Sequence, residues 1–424
     1  MIKQLDLLIL DNLRYKIDKK TEEFLIGLSN PFHNPQYHFL SRRITNIPNF
    51  PYYFENKGLK ALTIYTDFVS LNDKIFNNNT QHNKNNIIKI IEKLRPKIIF
   101  LRDYSVINQY QLGEIYNLNY KKKIFTSIGF PLPSKSYYKY FDKIYFRNTN
   151  VLDRQGSYAK EYKLIFHSFN EKILEKITIK NLEDRKINLS FCGSVQSNSA
   201  LHHFRRYHTI IKLIEEKIDI DLFLKEDNSF EHYMRFFNYL IYKIFGKKYF
   251  ISYETLELIG KLVKNTLNKK YKVFFKIAKD QRLIEDRKFP LYKGPIKFLF
   301  PFKTKKAIYA EDYYSVINNS KVSLNIHNDT DKKKFGFNIR NFEITGLKSC
   351  LLVENGSQIN KVFIKDKELI TYDNNEDLME KINFLEKNKK FAEEIALNGH
   401  KKTINFHTHK LRSEQFLKDF LNYL

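Results

Sequence analysis

Short, uninterrupted apolar runs recur along this chain at intervals that leave room for a helix between them, and no other feature restricts its fold as much. LDLLIL at 5–10 is followed by LKALTIY at 59–65, KIIFL at 97–101, KIFTSIG at 123–129, DKIYF at 142–146 and KLIFHSF at 163–169. A strand that is apolar at successive positions rather than alternate ones is buried on both faces, as in a parallel sheet covered by helices on each side. Between two of these runs, IIKIIEKLR at 87–95 has helical spacing and is closed by Pro96. Helix, Pro and strand in that order make half of a βαβ unit, so residues 1–180 are expected to form one α/β domain.

The pattern then starts again. INLSFCGSV at 187–195 runs into the polar VQSNSA, and the helix-forming FRRYHTIIKLIEEK precedes the strand-like DIDLFLK. Residues 228–305 break the alternation. There FEHYMRFFNYLIYKIF places Tyr233, Phe236, Phe237, Leu240, Ile241, Ile244 and Phe245 at helical spacing, which suggests a helical insertion. Alternation resumes with helices at EDYYSVINN and IRNFEITG, strands at KVSLNIHN and SCLLVEN, and helices over 376–387 and 389–405. A second α/β domain over 186–405 with the insertion at 228–305, followed by a terminal amphipathic helix within 406–424, is the expected organisation. No repeat of fixed period is present, which argues against a solenoid or propeller.

A length of 424 residues suits two or three domains. The charge balance, 73 basic against 47 acidic residues for a net +26, invites an anionic partner: nucleic acid, an anionic membrane surface or a phosphorylated ligand. The same chain is rich in Asn, Ile, Phe and Tyr and has no Trp, the bias of A- and T-rich codons, so charge alone selects no partner. The basic residues are also spread along the chain, and no nucleic-acid module signature occurs, which makes nucleic acid the second reading. Cys192 and Cys350 each lie in an apolar run, so neither a disulfide framework nor a cysteine zinc site is available, and a reducing compartment fits. No window approaches the ~20 apolar residues of a membrane span. The expectation is a cytoplasmic protein, soluble or peripheral at the inner face of the membrane, with the aromatic, basic stretch at 232–250 as the segment that would meet an anionic surface.

Several chemistries are excluded by what is missing. There is no GxG for a dinucleotide fold, no Gly-Lys-Ser or Gly-Lys-Thr for a P-loop, no HExxH and no GxSxG. Asp219-Ile220-Asp221 and Asp329-Thr330-Asp331 match a DxD pattern that can hold a divalent metal against a diphosphate, but such pairs arise often by chance. His407-Thr408-His409 carries two imidazoles at i and i+2, which on a helix face different directions.

The informative stretch is KKFGFNIRNFEITGLKSCLLVENG, 333–356. Asn338 is a suitable N-cap for a helix on which Arg340 and Glu343 are three residues apart and share a face. A guanidinium at a helix N-terminus attracts phosphate, and a carboxylate one turn deeper can accept both hydroxyls of a ribose. An ordinary exposed ion pair is the competing reading of the same spacing.

Arg340-Asn341-Phe342-Glu343-Ile344, Gly346, the strand SCLLV, the acidic VFIKDKELITYDNNEDLMEKINFL, and the terminal His407, Thr408 and Arg412 together resemble the C-terminal half of CgeB-type and related group 1 glycosyltransferases. The likeness is clearest over 305–424 and extends to SFCGSV at 190–195. It implies a GT-B architecture: two Rossmann-like domains facing across a cleft, with the donor nucleotide-sugar held by the C-terminal domain and the acceptor by the N-terminal one. It also implies that Glu343 takes the nucleotide ribose and Arg340 lies near the diphosphate, with Gly193 and Ser194 in the first loop of the donor domain. Such folds commonly need no metal or other cofactor. The implied partners are a nucleotide-diphosphate sugar donor and a glycan, lipid-linked or protein acceptor. This chain departs from the group 1 pattern at Phe335, where an earlier Glu is usual, and at Asp11-Asn12-Leu13, where a Gly-rich loop is usual. Stereochemistry therefore stays open, and so does a glycan- or nucleotide-binding protein without turnover.

Transfer from a nucleotide diphosphate needs positive charge for the leaving phosphate and, for inversion, a base for the acceptor hydroxyl. Arg205 and Arg206, on the helix after SFCGSV, join Arg340 as candidates for the first task. Asp103 and then Asp11, at the carboxyl ends of strand-like runs where α/β clefts bind ligands, are candidates for the second. His167 reads more simply as a core histidine.

Overall fold

A computed structural model describes residues 5–12, 53–54, 57–67, 86–195, 204–226, 240, 244, 294–327, 338–356 and 358–424. The chain divides into two compact units. The first comprises residues 1–178, 336–346 and 400–424, and the second 179–335 and 347–399. The Asn-rich stretch at 77–86 falls almost wholly outside the described residues, as does the proposed membrane segment at 232–250.

The first unit is built on β1 (Leu7–Asp11), β2 (Ala61–Tyr65), α1 (Asn86–Leu94), β3 (Ile98–Leu101), α2 (Gln109–Asn117), β4 (Lys123–Ile128), β5 (Lys143–Phe146), α3 (Thr149–Gln155) and β6 (Tyr162–Leu164). Its six strands are all parallel in the order β2-β1-β3-β4-β5-β6. Because the chain leaves β1 for β2 on one side and then crosses to β3 on the other, the order of the strands reverses between β1 and β3. The crevice outside their carboxyl ends is where such sheets take ligands.

The second unit begins with β7 (Ile187–Val195), α4 (Phe204–Glu215) and β8 (Asp221–Glu226), and continues through α5 (Ile296–Leu299), β9 (Thr304–Lys306), α6 (Ala310–Asn318) and β10 (Ser320–Asn325). Next comes α7 (Ile339–Gly346), which belongs to the first unit. The second unit then resumes with β11 (Cys350–Glu354), β12 (Ile370–Tyr372), α8 (Asn375–Lys387) and most of α9 (Lys389–Phe406). Its sheet, also parallel, has the order β12-β11-β10-β7-β8-β9 and reverses between β7 and β10.

Residues 294–305, expected inside a helical insertion, instead lead into this sheet. Lys-Thr-Lys-Lys has no apolar pattern, yet Thr304–Lys306 pairs with Leu222, Phe223 and Leu224 as the edge strand. Lysines are tolerated there because an edge strand faces water on one side and is protected from further pairing by charge.

The last helix, α10 (His409–Leu421), completes the first unit. Phe416, Leu417 and Phe420 bury themselves among Phe54, Phe100, Phe125 and Tyr145, covering one face of the first sheet, while α1 and α2 pack on the other. Asp419 sits among these rings. It accepts from Lys143 Nζ at 3.0 Å and from the Tyr145 hydroxyl at 2.5 Å, with Lys163 Nζ at 3.6 Å.

Candidate functional site

In the first unit, the carboxyl ends of β1 and β3 bring Asp11, Arg102 and Asp103 together. Asp11 and Arg102 are both buried and form an ion pair at 2.5 Å. The other Asp11 oxygen accepts from the Asn12 N–H at 2.8 Å. Asp11 thus braces the strand ends, and both of its oxygens are engaged. Asp103 is placed differently. Its Oδ1 caps the turn Tyr104–Val106, accepting from the Ser105 N–H at 3.0 Å and hydroxyl at 2.7 Å. Its Oδ2 lies 4.0 Å from Arg147, and 17% of the side chain is exposed.

Arg147 reaches this group from the end of β5, donating to Ser127 Oγ at 2.7 Å and to the Arg102 carbonyl at 2.6 Å. His167 joins the same cluster. Burial, and then the guanidinium groups of Arg147, Arg102 and Arg412, push its imidazole well below the ordinary histidine value. At neutral pH it is therefore uncharged.

The His-Thr-x-x-x-Arg motif is structural in its visible contacts. His407 lies between helices rather than within one: Thr408 caps α10 through the Leu411 N–H, and the Phe169 N–H donates to the His407 carbonyl at 2.8 Å. Arg412 donates to the His167 carbonyl at 3.1 Å. The motif ties the segment after β6 to the last helix.

Helix α7, carrying Arg340 and Glu343, is held in the first unit by contacts with residues 400–407. Thr345 and Thr403 hydroxyls are 2.6 Å apart, His400 Nδ1 is 2.9 Å from the Gly346 carbonyl, and Phe342 packs against His407 with ring centroids 5.2 Å apart. Asn338 is the N-cap, its side chain accepting from the Arg340 N–H at 3.0 Å. The shared face expected for the pair is split by depth, because Glu343 is buried while Arg340 is only half-buried. Among the described residues Arg340 makes no ion pair. Gly346 fits only as glycine, since a Cβ there would lie 2.5 Å from the ring of fully buried Phe169. Gly346→Ala is expected to destabilise the first unit by about 1–3 kcal/mol, measured by urea unfolding, since neither neighbour can yield without opening the core.

The second unit gathers Ser194, Arg205 and Arg206 at the end of β7. Gly193 and Ser194 remain in the strand, paired with Leu224 and Lys225, and do not form the loop expected of them. Adjacent residues on a helix point about 100° apart, so the two arginines meet different surroundings. Arg206 is fully buried, with its guanidinium on the Ser194 carbonyl at 2.7 Å and the Ile326 carbonyl at 2.5 Å, stacked over Phe191. It knits β7 to the end of β10, and these contacts are those of a residue that braces the sheet.

Arg205 is 19% exposed at the side chain and pairs with Glu354 at 2.6 Å. Glu354, at the end of β11, was not anticipated. The backbone N–H of His327 donates to its other oxygen at 2.7 Å. Burial raises the Glu354 carboxyl above its ordinary value despite Arg205 and that N–H, which pull the other way. The available signal was a lone acid closing an entirely apolar strand.

Among the described residues no group of His, Cys, Asp or Glu could hold a metal. Asp221 of the first DxD opens β8 at the amino edge of the sheet, away from the crevice, and pairs with Lys305 at 2.7 Å. Asp329-Thr330-Asp331 lies outside the described residues.

Comparison with known proteins agrees with this arrangement. Residues 274–418 match the family described as glycosyl transferase-like. A glycosyltransferase from Rickettsia africae shares the fold with a TM-score of 0.55 at 12% identity, over 99% of each chain. Sucrose-phosphate synthase from Thermosynechococcus elongatus follows at 0.52 and 9%, over 99% of each chain. HepE from Anabaena, solved with UDP and glucose, also gives 0.52 and 9%, over 99% of this chain and all of that one. No curated protein sequence matches. Two parallel Rossmann-like sheets of this topology constitute the GT-B fold, the fold of these solved glycosyltransferases, and the C-terminal third of the chain matches the glycosyl transferase-like family model.

Proposed function

We propose that this protein transfers a sugar from a nucleotide diphosphate to a hydroxyl of a glycan, lipid-linked or protein acceptor. The observation that carries the donor assignment is Arg205, held by buried Glu354 at the reversal point of the second sheet. A guanidinium fixed by a carboxylate keeps a constant orientation, and its planar charge suits a phosphate oxygen. Gly193 and Ser194 supply close backbone approach beside it. By resemblance, Glu343 accepts the ribose hydroxyls and Arg340, at a helix N-terminus, binds near the diphosphate. UDP, the nucleotide found in HepE, is the first donor base to test.

In the reaction the acceptor oxygen attacks the anomeric carbon, the bond from that carbon to the phosphate oxygen breaks, and the diphosphate leaves with its charge balanced by guanidinium groups. Asp103 takes the acceptor proton, and Arg147 orients it. Asp11 positions Arg102 beneath them.

A thermal-shift panel of UDP, GDP, CDP, ADP and TDP with their sugar conjugates tests the donor site, because a ligand of the native state raises its melting temperature by mass action. One nucleotide is expected to stabilise the protein selectively, with affinity falling about ten-fold or more in Glu343→Ala and in Arg205→Ala. Equal shifts in wild type and both variants would exclude this site. Oligonucleotides shifting the melt in place of nucleotides would favour nucleic acid as the partner.

A further inference from the structure

Exposed aromatic rings beside exposed lysines occur together in the second unit between Gly294 and Tyr309. Ile296 is fully buried, and the Tyr207 hydroxyl donates to the Gly294 carbonyl at 2.7 Å, which fixes the start of this segment to the core. From that anchor the chain turns outward. Phe298 is 50% exposed and Phe302 is completely exposed, before the segment returns to the sheet as β9. Single exposed apolar residues are common, but a fully solvated phenylalanine on a short, anchored turn is costly in water.

The charged residues within this segment have one sign. Lys297, Lys303, Lys305 and Lys306 lie in this segment, and no carboxylate occurs from 294 to 310. Lys305 is occupied by Asp221 and by the Phe223 ring, whereas Lys303 and Lys306 are exposed. Edge protection accounts for lysines on β9 and does not account for the phenylalanines at the turn. Rings that can enter the acyl boundary, flanked by ammonium groups that stay at headgroup level, form a pattern complementary to an anionic lipid surface.

We propose that residues 296–306 form a peripheral docking patch for an anionic bilayer, with Phe298 and Phe302 inserting and Lys303 and Lys306 facing the headgroups. This assignment is independent of the donor site. It also concerns a different stretch from the aromatic segment at 232–250.

The test is co-sedimentation of the full chain with phosphatidylcholine vesicles and with vesicles in which phosphatidylglycerol replaces a third of that lipid. The wild type is expected to pellet with the anionic vesicles and to stay in solution with the neutral ones. Each basic residue near such a surface changes partitioning about five-fold, so Lys303→Glu with Lys306→Glu should weaken binding by about ten-fold or more. Phe298→Ser with Phe302→Ser should do the same without changing net charge. Both double variants should keep the wild-type melting temperature and nucleotide shift, which separates this proposal from the donor assignment. A wild type that ignores both vesicles, variants that pellet like it, or RNA captured in preference to lipid would each overturn the docking patch.

Discussion

Asp103→Asn is expected to lower kcat for sugar transfer by about 10²–10⁴-fold, with donor affinity and unfolding free energy close to those of the wild type. The expected size follows from losing a proton acceptor, and the expected selectivity follows from local geometry. Asn keeps an oxygen for the Ser105 N–H, so the cap on Tyr104–Val106 survives. The ability to hold a proton is removed, together with the carboxylate charge 4.0 Å from Arg147. Release of nucleotide diphosphate at saturating donor and acceptor is the appropriate measurement, accompanied by NMR of the product's anomeric configuration, since a base of this kind belongs to an inverting displacement. A variant with nearly wild-type kcat, or a product that retains configuration, would dismiss Asp103 as the base.

Asp419→Ala is expected to cost about 3 kcal/mol of stability, because Lys143 would be left buried without its principal partner. Glu161, 3.8 Å from Lys143 and largely exposed, can replace little of that interaction. The pair also predicts a pH window. Burial alone would raise the Asp419 carboxyl, but the Tyr145 hydroxyl and the Lys143 ammonium outweigh it and hold it below the usual carboxylate value. Burial alone would lower Lys143, and Asp419 reverses that too. A depressed acid stabilises the fold above its unfolded value of about 4, and this is lost as pH falls through the folded value. A raised base stabilises below about 10.5, and this is lost as pH rises past the folded value. Wild type and Asp419→Ala should therefore differ most in urea midpoint between those limits and converge towards strong acid. A constant difference down to acid pH would show that packing, rather than the ion pair, carries the effect.

Both sheets were legible in the sequence because their strands are buried on two faces and so leave unbroken apolar runs. LDLLIL and SCLLV became β1 and β11, and Pro96 separates α1 from β3 as expected. Edge strand β9 escaped notice because its residues have no need to be apolar. The candidate site residues were only partly legible. Arg205 and Arg206 are indistinguishable as letters, and only the 3.6-residue turn of α4 sends one into the core and the other to the crevice. Glu354 pairs with a residue far away in the chain, a relation no local spacing encodes. The place of α7 in the first unit depends on contacts with residues 400–407, which the motif alone does not reveal.

The first sheet has a consequence for how this chain reaches its native state. One face of that sheet, with Phe100, Phe125 and Tyr145, is covered by Phe416 and Phe420, residues translated after the whole of the second unit. During synthesis the second unit's residues emerge while the first unit still carries an open aromatic surface. The earliest unit to be made is therefore the last to close, and vectorial, N-terminus-first folding is denied to it. Until α10 arrives, that bare face is the natural target for a holding chaperone or for aggregation, and a ribosome stalled before residue 409 would display it indefinitely.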